Sequence, residues 1–132
     1  MARNVIAVII GIIVAGVVIF SVQQVNERLF PLPDGLTIED REGMIAHIKT
    51  LPTLAFIIVL LSYLLGTIAG CFVALKIASS HFLPICLIVA GFLLIMSIIN
   101  LITIPHPLWF SLVNLAIYIP TALFIHKQFR PK

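Results

Sequence analysis

Residues 51–75 read LPTLAFIIVLLSYLLGTIAGCFVAL, a run with no Asp, Glu, Lys or Arg. A hydrocarbon core of about 30 Å is crossed by about 20 apolar residues in a helix, and a soluble core helix needs neither that length nor that uniformity. The stretch therefore predicts a transmembrane helix from Leu51 to Leu75. Three more stretches share its character: Val5 to Val25, Phe82 to Ile104 and Leu108 to Ile125, each also without a charged side chain. The four together take up roughly two-thirds of the chain, which leaves little for any other domain.

Composition points the same way. Of 132 residues, 61% are hydrophobic and 10% charged, with a mean hydropathy of +1.22, against about 25% charged in soluble domains. A soluble globule of this make-up has too few polar groups to cover its surface, and a disordered chain or a disulfide scaffold is excluded by the same figures. The expected fold is all-α: one integral membrane domain over residues 1–132, built as a four-helix transmembrane bundle. The first span follows Arg3, outruns the apolar core of a secretory signal, and ends in Ser21-Val22-Gln23-Gln24 without an Ala-x-Ala site, so it is expected to be retained.

Charge sets the expected orientation. Arg3, Lys76, Lys127, Arg130 and Lys132 fall on one side, whereas residues 26–50 hold Arg28, Arg41 and Lys49 among all five acids. Basic loops stay in the cytoplasm, so both termini are predicted to be cytoplasmic. The net charge of +3 is thus a topology signal and no nucleic-acid footprint.

The loop of residues 26–50 faces outward in that scheme. Pro31-Leu32-Pro33-Asp34-Gly35 is turn chemistry, and Thr37, three residues before Asp40, resembles the start of a capping box. A short amphipathic helix is predicted from about Ile38 to Thr50. Met44, Ile45, Ile48 and Leu51 gather on one of its faces, away from Glu39, Asp40, Glu42 and Lys49, which suits a helix lying on the membrane surface.

Helices in lipid associate where small residues let backbones approach or where polar groups meet. Ser62, Gly66, Gly70 and Ala74 recur every four residues in the second span, and Ala7, Gly11 and Ala15 echo them in the first, which predicts a close antiparallel contact. Self-association is the competing use of the same face. The third and fourth spans are joined by Pro105-His106-Pro107 and must form a hairpin. Reflection about position 107 puts Thr103 level with Ser111, Asn100 with Asn114, and Ser97 with Tyr118. Unpaired polar groups are costly in hydrocarbon, so this face predicts either interhelical hydrogen bonds or a polar cavity shared with Ser21 and Gln24.

Reactive chemistry is scarce. No intramembrane Asp, Glu, Lys or Arg exists to carry an ion or proton path, and the small four-helix multidrug transporters that match this chain in size rely on a first-helix glutamate absent from Val5 to Val25. Cys71 and Cys86 reflect across the loop near position 78 or 79 and are expected to be small apolar fillers. His81 with His126, at similar depth, meets a haem geometry only loosely; His47 and His106 would need a further ligand such as Glu42 to hold a metal. No nucleophile stands beside a base, so neither enzyme activity nor a cofactor is expected.

The hexapeptide Pro105-His106-Pro107-Leu108-Trp109-Phe110 combines a rigid turn with an interfacial aromatic anchor. With Leu29-Phe30-Pro31-Leu32-Pro33-Asp34-Gly35-Leu36, the acidic helix after it, Leu51-Pro52 and Leu65-Gly66, it resembles a family of small four-span bacterial integral membrane proteins with no assigned activity. That resemblance implies the four-span topology over most of the chain and, with the charge bias, a bacterial inner membrane; it implies no catalytic or binding residue. The leading expectation is a non-enzymatic accessory or packing subunit of a membrane assembly, in contact with lipid and with other subunits or copies of itself. The alternatives are a carrier for a small neutral or lipophilic molecule on the Ser97, Asn100, Asn114 and Tyr118 face, and a haem- or quinone-linked membrane protein.

Overall fold

A computed structural model describes residues 1–37 and 39–131 of the chain; the helix start read at Ile38 and the charge of Lys132 lie outside the described residues. The described residues form five helices and no strand: α1 (Ala2–Leu29), α2 (Arg41–Thr50), α3 (Thr53–Ile77), α4 (Phe82–Thr103) and α5 (Leu108–Phe129). All but α2 are long and apolar enough to cross a membrane. Their outward faces are apolar along the whole length: Ile9, Ile13 and Val17 on α1, Ile95 and Ile99 on α4, and Leu112 and Phe124 on α5 are exposed. Such surfaces belong in lipid rather than in water.

Prolines and polar caps set the boundaries. Pro52 and Pro107 stand at the N-caps of α3 and α5, where a missing N–H leaves no bond unmade. Several boundaries depart from the sequence reading: α3 lies two residues later than Leu51 to Leu75, α5 runs four residues past Ile125, and two further helices differ as follows. First, α1 runs three residues earlier and four later than Val5 to Val25; its early start is held by Arg3 and Asn4, which bond to Ile77, Ser79 and Ser80 of the α3–α4 turn. Second, α2 begins at Arg41 rather than near Ile38. Asp40 is itself the N-cap, its carboxylate accepting from the Gly43 amide at 3.0 Å, while Thr37 belongs to the preceding turn and takes the Asp40 amide on its carbonyl at 3.2 Å. A carboxylate at the N-cap both satisfies an amide and complements the positive end of the helix dipole, so it displaces the threonine one turn earlier.

The four long helices run up and down. At one end, here the termini end, the start of α1 meets the α3–α4 turn; at the other, the α2 end, α2 spans the gap between α1 and α3. α3 and α4 touch each other and both remaining long helices, whereas α1 and α5 do not meet among the described residues. The cross-section is therefore a rhombus with α3 and α4 on its short diagonal. α2 stands differently: none of its described Cα atoms comes within 8 Å of another helix, and it is seated by the side chains of Met44, Ile48 and the following Leu51.

Candidate functional site

The small-residue faces form a seam between α1 and α3. A Cβ built on Gly70 would lie 2.6 Å from the Gly11 carbonyl oxygen, and one on Gly11 would lie 2.8 Å from the Gly70 carbonyl. One on Gly66 would run into Ile19 and reach 3.0 Å from the Ala15 carbonyl. Only glycine permits this approach, because the obstacles are backbone atoms that cannot rotate away. Ala7, Ala15, Ser62 and Ala74 are fully buried along the same seam, and Ser62 accepts a hydrogen bond from Gln23 at 3.3 Å. Gln23, not Ser21 or Gln24, is the residue of α1 that turns inward: Ser21 donates to the Val17 carbonyl on its own helix, and Gln24 lies 3.5 Å from Glu27.

The α4–α5 polar residues divide into three groups. Asn114 donates to Ser97 across the hairpin at 2.6 Å and accepts from the Tyr118 hydroxyl, one turn on in α5, at 2.9 Å, a buried chain in which one bond joins the two helices. Asn100 turns from α5 and donates to the Tyr63 hydroxyl of α3 at 3.2 Å. Thr103 and Ser111, level by reflection, do not meet; they donate to the Ile99 and Pro107 carbonyls of their own turns. Helical phase explains the split, since three residues advance the side chain by about 300° and leave Asn100 about 60° round the helix from Ser97, toward α3. Tyr63 stands beside Ser62 in a span whose sequence pattern is one of small residues, so nothing in that pattern singles it out as the partner of Asn100.

Beside Asn100 a lateral groove of about 260 Å³ opens between α1 and α4. Ile12, Gly16 and Ile19 line it on α1, and Phe92 and Met96 on α4, with the Tyr63–Asn100 pair inside. Gly16 is exposed there, and a Cβ built on it meets nothing within 4 Å. A larger cavity, about 450 Å³, lies under α2 at the α2 end. Its walls come from the end of α1, the start of α3 and the α4–α5 turn, and both His47 and His106 line it.

The remaining candidates fall into place around these features. Cys71 and Cys86 are free, fully buried neighbours, the Cys71 thiol donating to the Cys86 carbonyl at 3.7 Å. His81 is exposed at the N-cap of α4 in a left-handed conformation (φ 54°), with its Nδ1 2.9 Å from the Ser80 hydroxyl. Among the described residues no three His, Cys, Asp or Glu side chains gather closely enough to hold a metal. At the α4–α5 turn, burial holds the His106 imidazole below its ordinary value of 6.5, partly offset by a bond to the Ile104 carbonyl. No family model, curated protein or solved structure matches the chain.

Proposed function

We propose that this chain is a four-helix transmembrane bundle serving, without enzymatic chemistry, as a packing subunit of a bacterial inner-membrane assembly, and that it receives a partner helix on its α1–α4 side. The observation that carries the reading is Gly16. The other glycines of α1 and α3 are consumed by the internal seam, but Gly16 borders an open groove, and a Cβ built on it would meet nothing within 4 Å. In lipid, where apolar surface alone gives helices no reason to associate, a bare glycine beside a groove offers a second backbone close approach. The Tyr63–Asn100 pair within the groove adds a polar group that a partner side chain can reach. The basic residues at the termini end support a cytoplasmic location for both termini.

The test separates folding from assembly at one position. Gly16→Leu is expected to leave the unfolding midpoint of the purified bundle unchanged, because nothing lies within 4 Å of the new side chain's first atom. Native mass spectrometry of the protein drawn from its own membrane is expected to show partner chains with the wild type and their loss with Gly16→Leu. A wild-type mass of 14.5 kDa, the chain alone, would sink the proposal.

A further inference from the structure

The chain shares out its charges unevenly. All five Asp and Glu residues lie between Glu27 and Glu42, toward the α2 end, so Arg3, Lys76, Lys127 and Arg130 stand exposed at the termini end with no acidic side chain near them. Arg3 is engaged by the Ile77 carbonyl. Of the other three, two gather at one place. Lys76, in the last turn of α3, holds its Nζ 5.2 Å from the centroid of the Phe72 ring one turn back. Phe72 in turn meets Phe129 of α5 edge-on, with centroids 5.2 Å apart.

These contacts fix a level along the bundle. α3 and α5 run in the same direction, and Phe129 ends α5 while α3 continues to Ile77. Helical side chains lean toward the N-terminus of their own helix, so the Lys76 ammonium reaches back to the level at which α5 stops. Arg130 is the C-cap of α5 and follows Phe129 directly. Two cations thus stand beside one aromatic pair, on the outer edge between α3 and α5. Lys127 lies elsewhere: two residues before Phe129, it points about 200° round α5, away from α3.

The same edge is apolar toward the middle of the bundle. Seven residues make about two helical turns, so exposed Leu65 lies on the face of Phe72 and exposed Leu123 on the face of Arg130, each two turns deeper. Phe129 itself is 44% exposed. The ends of α3 and α5 attract the two cations with only about half a charge each and leave them short of neutral. The order along the edge is therefore cation, aromatic ring, aliphatic stripe, which matches the order of phosphate and acyl chain in a phospholipid. A soluble anion would leave Phe129 and the leucines uncovered, and a zwitterionic lipid brings a cation of its own.

We propose that the α3–α5 edge at the termini end binds an anionic phospholipid, whose phosphate is met by Lys76 and Arg130 while an acyl chain lies over Phe129 and along Leu65 and Leu123. The edge is the side of the rhombus opposite the α1–α4 groove, so this site and the partner helix stand or fall separately.

The full chain in mild detergent is titrated with phosphatidylglycerol and with phosphatidylcholine of matched acyl chains, and bound lipid is followed by native mass spectrometry. Phosphatidylglycerol should be held about tenfold more tightly or better. Lys76→Gln and Arg130→Gln should each weaken it roughly fivefold, the worth of one basic residue near an anionic headgroup, and leave the unfolding midpoint in place because both side chains are exposed. Lys127→Gln removes the same charge from the other side of α5 and should bind as the wild type does. Equal retention of the two lipids would overturn the site. So would an equal loss in Lys127→Gln and Lys76→Gln, which would reduce the effect to net charge. Glycerol phosphate and a hexaglutamate peptide, each in excess, should leave phosphatidylglycerol bound; displacement by either would replace the lipid with a soluble anion or an acidic protein segment as the occupant.

Discussion

The two ends of the bundle are built on opposite principles. At the termini end the backbone is closed by polar clamps: Asn4 accepts from the Ser79 amide at 3.0 Å and hydroxyl at 3.2 Å, its amide donates to Ser80 at 3.0 Å, and Arg3 donates to the Ile77 carbonyl. Behind the clamp Cys71, Ala74, Leu75, Cys86 and Val89 have no exposure at all. At the α2 end the long helices part, a short helix rests on side chains, a cavity remains, and Asn26 keeps an unpaired oxygen. Close packing and satisfied polar groups supply stability; voids and orphaned acceptors withhold it. The chain thus concentrates its cohesion at one end and leaves working space at the other.

The largest blow to that contrast should come from Gly70→Val. Its added atoms meet the Gly11 carbonyl, which cannot move without shifting α1, so the variant should lose about 3 kcal/mol in reversible denaturant unfolding in lipid, or fail to dock α1. A smaller loss, about 1 kcal/mol, is expected from Asn4→Ala, seen also as faster hydrogen exchange at the Ser79 amide that Asn4 now protects. If Asn4→Ala proved silent, the clamp would be ornament and the sealed end would rest on apolar packing alone.

The smallest effect belongs to the α2 end and depends on pH. His106 titrates below its ordinary value in the folded chain, so as pH falls through 6.5 the unfolded chain takes up a proton first. Stability should be level above that pH and decline below it, until the folded imidazole also protonates. Glu27 and His47 line the same cavity, so the decline is to be read against His106→Gln, which should flatten it. A curve identical in the two proteins would show that the buried imidazole does not govern this end.

How much of this was legible in the sequence follows from the range of each interaction. The four spans were, because charge-free runs of 18 to 25 residues have no other home. The Gly11–Gly70 approach was also legible, since a four-residue spacing of small side chains on adjacent helices defines complementary faces by itself. The direction of Asn100 was not: reflection about a turn gives depth along the helix and says nothing of rotation about its axis, which decided between Asn114 and Tyr63. Nor was the Asn4 clamp, whose partners lie 75 residues away with no pattern linking them. The cavity under α2 arises where five segments fail to meet, and a sequence carries no mark for a gap.

The rhombic arrangement has a consequence for how the chain is made. A membrane protein synthesised from its N-terminus must leave each span alone in lipid until a later one arrives. Along its middle α1 buries only Ala7, Gly11 and Ala15, which carry no polar side-chain atom, so that stretch of its waiting face leaves nothing unsatisfied, and the amides of Asn4 and Gln23 that await later partners stand nearer its two ends. α3 then brings Tyr63 and the hydroxyls of Ser62 and Thr67, which already bond to carbonyls one turn back. The amides in the middle of the spans come last: Asn100 arrives to a Tyr63 already in place, and Asn114 follows on the same hairpin as its partner Ser97. The order of translation runs from the spans that tolerate solitude to those that do not.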